Sequence, residues 1–342
     1  MGIEVKVGSL DLSTSADDFH VRRVEVAEAL DELDAITVEF FTRPEQVGGA
    51  WSKVQPGTTM SVTLKSDDGT VTSTSQAIVV SVEIEAEDAI GYRIVVTGLE
   101  ELVKLRGSAS EVAWEDAPDK IAKAIAQAGG LTAQADGSNV QKYRIDQPGV
   151  DDVVMLKMIA DRFHYRVGTA NGKIVFKRRS VADATIKIAA DDILGQRLGA
   201  SVHRVVTEAV VWGRDPKENG WFQEKVTDTG RGISGTITAL SLAKKVFKGA
   251  RVEVTDAGCT NPGAAKERAT AELKRRAETF VDGRIVVRGN PKVRCGTDVD
   301  LGGEVWPFRG KYRVREVRHV DGEGDSYRTI IDIHSDSLPA KG

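Results

Sequence analysis

Glu83, Glu85, Glu87 and Asp88 form a dense run of acids, and a pair of carboxylates held apart at fixed separation is what glycoside hydrolysis requires. Their spacing argues against it. Glu83, Glu85 and Glu87 alternate with Val82, Ile84 and Ala86, the pattern of an exposed strand face leading into a turn. The five histidines, His20, His164, His203, His319 and His334, are scattered without HExxH or paired spacing, which leaves no case for zinc. Cys259 and Cys295 are the only cysteines and neither lies in a CxxC, so two reduced thiols are expected. The sequence has no GxSxG, GxxxxGK[ST] or GxGxxG. Asp321-Gly322-Glu323-Gly324-Asp325 is acidic but lacks EF-hand ligand spacing and reads as a hairpin turn. Lys266, Glu267, Lys274 and Arg275 read as a solvated helix face rather than a phosphate site. Catalytic, cofactor and metal residues are therefore expected to be none, and the protein to be no enzyme. Trp51, Trp212 and Trp221 adjoin turns and suit either core anchoring or stacking on sugars.

The elements that carry these residues are mostly strands, and one hairpin occurs twice. Val80, Val82 and Ile84 lead to a turn and then to Tyr92-Arg93-Ile94-Val95-Val96. Tyr312, Val314 and Val317 lead to a turn and then to Tyr327-Arg328-Thr329-Ile330-Ile331. A Gly-Thr pair opens a lead strand before each, Gly57-Thr58 in one copy and Gly296-Thr297 in the other. Two related β units in one chain follow from this repeat.

A chain of 342 residues suits two or three domains. No window approaches the ~20 apolar residues of a membrane helix, and the acidic, polar start has no secretory apolar core, so assembly in a bacterial cytoplasm is expected. The net charge of -4 hides an asymmetry: residues 1–100 hold 18 acids against 7 bases, and the remainder 33 against 40. Such polarity suits contact between the acidic part of one copy and the basic part of another, and equally suits an ordinary uneven surface. The absence of a basic stripe with interleaved aromatics disfavours nucleic-acid binding.

The expected fold is α+β and mainly β. Residues 1–102 read as a first β-barrel domain, with an equivocal helical stretch at 26–33, a strand at 36–41, and Pro44 and Gly48-Gly49 as breakers. Residues 103–195 read as an α+β insert. It has a helix opening at Asp116-Ala117-Pro118, another at 153–163 capped by Asp151-Asp152, and a hairpin closed by Asn171-Gly172. Residues 196–342 read as a second barrel with an insertion at 227–282: a mobile loop at 227–238, then a long helix capped by Asn261-Pro262 with Ala265, Ala269, Leu273 and Ala277 on one face.

Residues 147–177, QPGVDDVVMLKMIADRFHYRVGTANGKIVFK, resemble the segment that follows the first β domain in the late control protein D family of phage tail proteins and in the amino-terminal hub region of the type VI secretion protein VgrG. Val211-Trp212-Gly213-Arg214-Asp215-Pro216 is similar to the Gly-x-Asp-Pro turn of those families, and the alanine-rich helix, the Gly-Thr-x-Val strand and the closing Tyr-x-Thr hairpin match in order. The resemblance implies a baseplate hub of a contractile tail or injection system, present in the virion tail or particle, a homotrimer whose two barrels per copy present six similar units to the sixfold tail tube. It implies tail-tube or tube-initiator proteins and baseplate wedge proteins as partners. VgrG continues into an OB-fold and a spike whereas this sequence ends at Gly342, so a separate spike protein is expected. Barrel edges would carry the contacts, with Thr58, Met60, Val62, Leu64, Thr297, Val299 and Leu301 as candidates. The alternative is a tail-tip or cell-surface glycan-binding adhesin.

Overall fold

The computed structural model describes residues 3–339 apart from 14–18, 67–68, 88–90, 108–110, 171, 231–232, 234, 236, 303–307 and 323–324. The turn residues Asp88, Glu323, Gly324 and Asn171 lie outside the described residues. The first unit contains β1 (Glu4–Val7), β2 (Leu10–Asp11), β3 (Phe19–Ala29), β4 (Ala35–Thr42), helix α1 (Val47–Val54), β5 (Thr59–Lys65), β6 (Thr72–Glu87) and β7 (Gly91–Leu99). β4 alternates half-buried and buried residues along its whole length, as a strand with one face on a core must. The stretch at 26–33 is not helical, because Val24 and Val26 continue the alternation of β3 into the same core. Gly48 and Gly49 lie inside α1, which packs Ala50 and Val54 inward.

The insert opens with β8 (Ala113–Asp116) and α2 (Pro118–Ala128). Asp116 ends the strand instead of capping α2, and its carboxylate accepts from the backbone N of Ala117 at 2.7 Å. There follow β9 (Ala133–Ala135), β10 (Tyr143–Asp146), α3 (Asp152–Arg162), β11 (Tyr165–Ala170) and β12 (Lys173–Arg178). Asp151 caps α3 by accepting from the N of Val154 at 2.9 Å, while Met155, Leu156 and Ile159 turn into the core. Gln147 is buried because it ties this start together: Trp114 Nε1 donates to its Oε1, and its Nε2 donates to Val150 O and Asp152 Oδ1.

The second unit comprises β13 (Thr185–Ile188), β14 (Ile193–Ala200), β15 (Glu208–Asp215), β16 (Gly220–Val226), β17 (Ile237–Thr238), α4 (Ala239–Val246), β18 (Arg251–Thr255), α5 (Pro262–Ala277), β19 (Val281–Arg288), β20 (Asp298–Leu301), β21 (Gly310–Gly322), β22 (Asp325–Ser335) and β23 (Ser337–Leu338). α5 begins at Asn261, whose side chain accepts from the N of Ala264, and it buries Ala265, Ala269, Leu273 and Ala277 fully. The expected loop at 227–238 is tied down at its described end: Ile233 N donates to Asp336 Oδ1, Gly235 N donates to Ser337 Oγ, and β17 pairs with β23.

The fold is mainly β, and its two units share one strand order. The first runs β3-β4-β7-β6-β5-β1, the second β14-β19-β22-β21-β20-β13, differing only in that β13 lies parallel to β20 whereas β1 is antiparallel to β5. Two bulges in each unit coincide as well. β6 bulges between Val79 and Ser81, and β21 between Val314 and Glu316; β3 bulges between Val21 and Arg23, and β14 between Ile193 and Gly195. At the lead strands Gly57 and Gly296 both take positive φ, Val79 N donates to Thr58 O at 2.8 Å, and Val314 N donates to Thr297 O at 2.9 Å. The hydroxyl of Thr58 donates to Gln55 O, and that of Thr297 to Arg294 O, both at 2.7 Å.

The two units are joined by strand pairing: the outer half of β21 pairs with β3, from Glu316 opposite Ala29 to Gly322 opposite Arg23, so one 13-stranded sheet runs through both. Two hydrophobic clusters lie against it. One fills the first unit and takes in Tyr327 from the second; the other is shared by the insert and the second unit.

Candidate functional site

Six of the seven residues expected at barrel edges are buried, and Thr58 is half-buried. Met60, Val62, Leu64, Val299 and Leu301 are at most 2 % exposed, Thr297 is buried, and Thr58 is spent in its turn. β1 pairs with residues 60–63 of β5 on the side away from β6, and β13 with residues 298–301 of β20 on the side away from β21, so Met60, Val62, Val299 and Leu301 sit on strands paired on both sides within the chain. Alternation revealed a core-facing strand but not whether a neighbour lay on each side.

What the fold does bring together is a buried polar seam where both units and the insert meet. Glu28 of β3 forms an ion pair with Arg294, and its Oε2 accepts from Cys295 N at 3.0 Å. Arg294 reaches across to donate to Ser73 Oγ on β6. Glu100 accepts from Thr169 Oγ1 of the insert at 2.8 Å and from the N of Asp34 at 3.3 Å. Burial, with Glu28 and Glu100 beside it, holds the Asp34 carboxyl well above the usual range; burial likewise raises Glu100. A cleft of about 430 Å³ is lined by Glu28, Asp34, Ser73, Glu100, Thr169 and Arg294 and by Ser75 and Gln76. The arrangement matches each carboxylate with a cation or a donor, which suits a lock between segments better than acid–base chemistry. No spacing in the sequence announces it, since its members come from positions as far apart as 28 and 294.

A second buried group lies beneath α5. Glu278 contacts His164 Nε2 at 2.9 Å and His334 Nε2 at 3.7 Å. Burial works against its charge, but His164 and His334 prevail and hold the carboxyl down to about 2. Burial holds His334 at about 4 despite that neighbour. His319, at the junction of the two units, donates from Nε2 to Val293 O and accepts at Nδ1 from Tyr327 Oη at 2.8 Å; burial depresses it to about 3. Among the described residues no group of three or more His, Cys, Asp or Glu is placed to hold a metal ion. No described helix is long and apolar enough to cross a membrane.

The aromatic candidates divide. Trp51 on α1 and Trp221 on β16 are exposed, whereas Trp212 is half-buried and donates to Glu253. Glu83 and Glu85 are exposed on β6, and Glu85 pairs with Arg93 at 3.2 Å.

Residues 48–323 match the family described as the Alg8 N-terminal domain, and by this match over most of its length the chain belongs to that family. That description names no tail component, and the match starts inside α1, part-way through the first unit. Comparison with curated proteins gives no match. Solved structures share the fold along the whole chain. The 43 kDa tail protein of prophage MuSo2 from Shewanella oneidensis is 13 % identical with a TM-score of 0.67, covering 97 % of each chain. A tail protein from Neisseria meningitidis MC58 is 14 % identical with a TM-score of 0.68, covering 98 % of this chain and 96 % of that one. The c3393 protein of E. coli, described as a component of the type VI secretion system with similarity to T4 tail proteins gp27 and gp5, is 11 % identical with a TM-score of 0.62, covering 98 % and 77 %. The chain thus has the fold of phage tail and type VI secretion proteins.

Proposed function

We propose that this chain is a structural component of a phage-like tail or injection-system baseplate, acting as its hub. Three copies join around the tail axis, and their two units each present six similar surfaces to a sixfold tube, while the other end holds a separate spike protein. The observation that carries this reading is the duplicated six-strand order, with its bulges and Gly-Thr turns repeated at equivalent places. A protein with two near-equivalent units doubles the symmetry of whatever ring it forms. The tail-protein fold likeness at 97–98 % of the chain supports the setting. The role is mechanical rather than catalytic, and the particle is where the protein works. Met60, Val62, Val299 and Leu301 lie on strands paired on both sides, so the contact surface in this reading lies on other edges. The glycan-adhesin alternative finds little support, because its exposed tryptophans stand on separate elements, α1 and β16.

The test is retention. Immobilised protein should hold the spike and tube-end proteins encoded beside it through washing at physiological salt. Failure to retain either, or release of fragments from peptidoglycan by the pure chain, removes the reading.

A further inference from the structure

The joint between the two units leaves one strand edge over in each unit, on β6 and on β14. β21 receives β3 along its outer half. Its equivalent, β6, has β5 beside residues 72–78 and β7 beside 78–87, and among the described residues nothing occupies the other side of 80–87. β3 has β4 on one side and β21 on the other; its equivalent, β14, pairs among the described residues with β19 alone. The unfilled acceptor and the unfilled donor are thus the same two surfaces that meet inside the molecule. We propose that copies of this chain join head to tail, β14 of one adding to the outer half of β6 of the next in the register of the internal β21–β3 junction. The surface deepens the hub reading and rests on it for the number of copies in the ring.

The register follows from the repeat. Val80 and Arg315, the bulged residues, and Tyr92 and Tyr327, on the return strands, share one offset, which equates Val317 with Val82 and His319 with Ile84. On the partner side the bulges at Arg22 and Leu194 equate Val26 with Leu198. Internally His319 faces Val26 and Val317 faces Glu28, so between copies Ile84 faces Leu198 and Val82 faces Ala200, with Glu85 opposite Arg197. The chemistry of those pairs is an independent check: an aliphatic residue meets an aliphatic one, and an acid meets a base. Arg197 has no ion pair among the described residues. Exposure agrees. Val26 and His319 are each 1 % exposed at the filled joint, whereas Ile84 is 40 % exposed at the open one, and Val80 and Leu194 beside it are 40 % and 52 %. A free strand edge bearing apolar side chains is a surface that proteins cover.

The test places cysteines in the full chain at Ile84→Cys and Leu198→Cys and oxidises it under native conditions. Non-reducing electrophoresis should show disulfide-linked multimers, and the off-register pair Ile84→Cys with Arg197→Cys should give at most a tenth of that yield. Arg197→Glu should remove the multimer seen by light scattering, and Glu85→Arg added to it should restore it. Self-association without the Ile84–Leu198 disulfide, or equal yield from the off-register pair, overturns this surface while leaving the hub reading standing. A chain that never associates overturns it too. A chain that forms the disulfide yet retains no spike or tube-end protein keeps the surface and removes the hub reading instead.

Discussion

His319 is neutral because its place in the joint demands it: one ring nitrogen gives its hydrogen to Val293 O, the other receives one from Tyr327, and no solvent reaches the ring. Its pKa is about 3 in the folded protein against about 6.5 in an unfolded chain, so the unfolded state binds the extra proton first on acidification. Stability from this group is complete above about pH 6.5 and is lost as pH falls towards 3, at up to about 1.4 kcal/mol per pH unit. His334, held at about 4, and Glu278, held at about 2, carry the same sign, while the raised carboxyls of Asp34 and Glu100 oppose it. The net slope mixes all five, so the discriminating measurement is a difference. In thermal melts from pH 7 to pH 4, His319→Gln should lose less stability than the natural protein, and parallel curves would refute the assignment. Arg294→Ala, which strands the 5 % exposed carboxylate of Glu28, should cost about 3 kcal/mol in urea unfolding at neutral pH.

At the scale of elements, local chemistry sets the ends and long-range pairing sets everything else. Asp151→Ala should cost about 1 kcal/mol, because the backbone N of Val154 would lose its side-chain partner at the helix start. Thermal melting of that single variant decides it. Gly91 is fixed by crowding instead: an added Cβ would lie 2.3 Å from Phe41 Cζ and 2.5 Å from the carbonyl oxygen of Thr42. Gly91→Ala must therefore displace β4 from β7, and a melting loss larger than that of the Asp151 variant is expected. The helices α1 and α4 escape a reading by period. α1 carries two glycines and α4 is eight residues long, and both are held by packing of small apolar residues rather than by propensity.

At the scale of the whole molecule, the sheet passes from one unit to the other without a break, and Tyr327 of the second unit lies in the core of the first. The units share hydrogen bonds and buried area in the manner of neighbours within a domain, so calorimetry should give one cooperative transition for both. Two transitions well apart in temperature would show the β21–β3 joint to be weak. Association by the remaining edges should weaken with added salt, since the acidic first hundred residues meet the basic remainder.

Read from the residues alone, the chain already declared its mainly β character, the caps of α3 and α5, and the repeat marked by Gly-Thr and Tyr-Arg, because alternation, capping and turn chemistry are properties of a few neighbouring residues. Which strand edges stay open was decided only in three dimensions. A strand paired on both sides and one paired on a single side carry the same two-residue alternation, since side chains stand perpendicular to the sheet while the backbone groups that pair lie within it. The alternation at Met60, Val62 and Leu64 and at Val299 and Leu301 therefore showed a core-facing side without showing which backbone edges were paired, and the polar seam of Glu28, Glu100 and Arg294 left no trace in spacing because its parts come together only when the two units close on the insert.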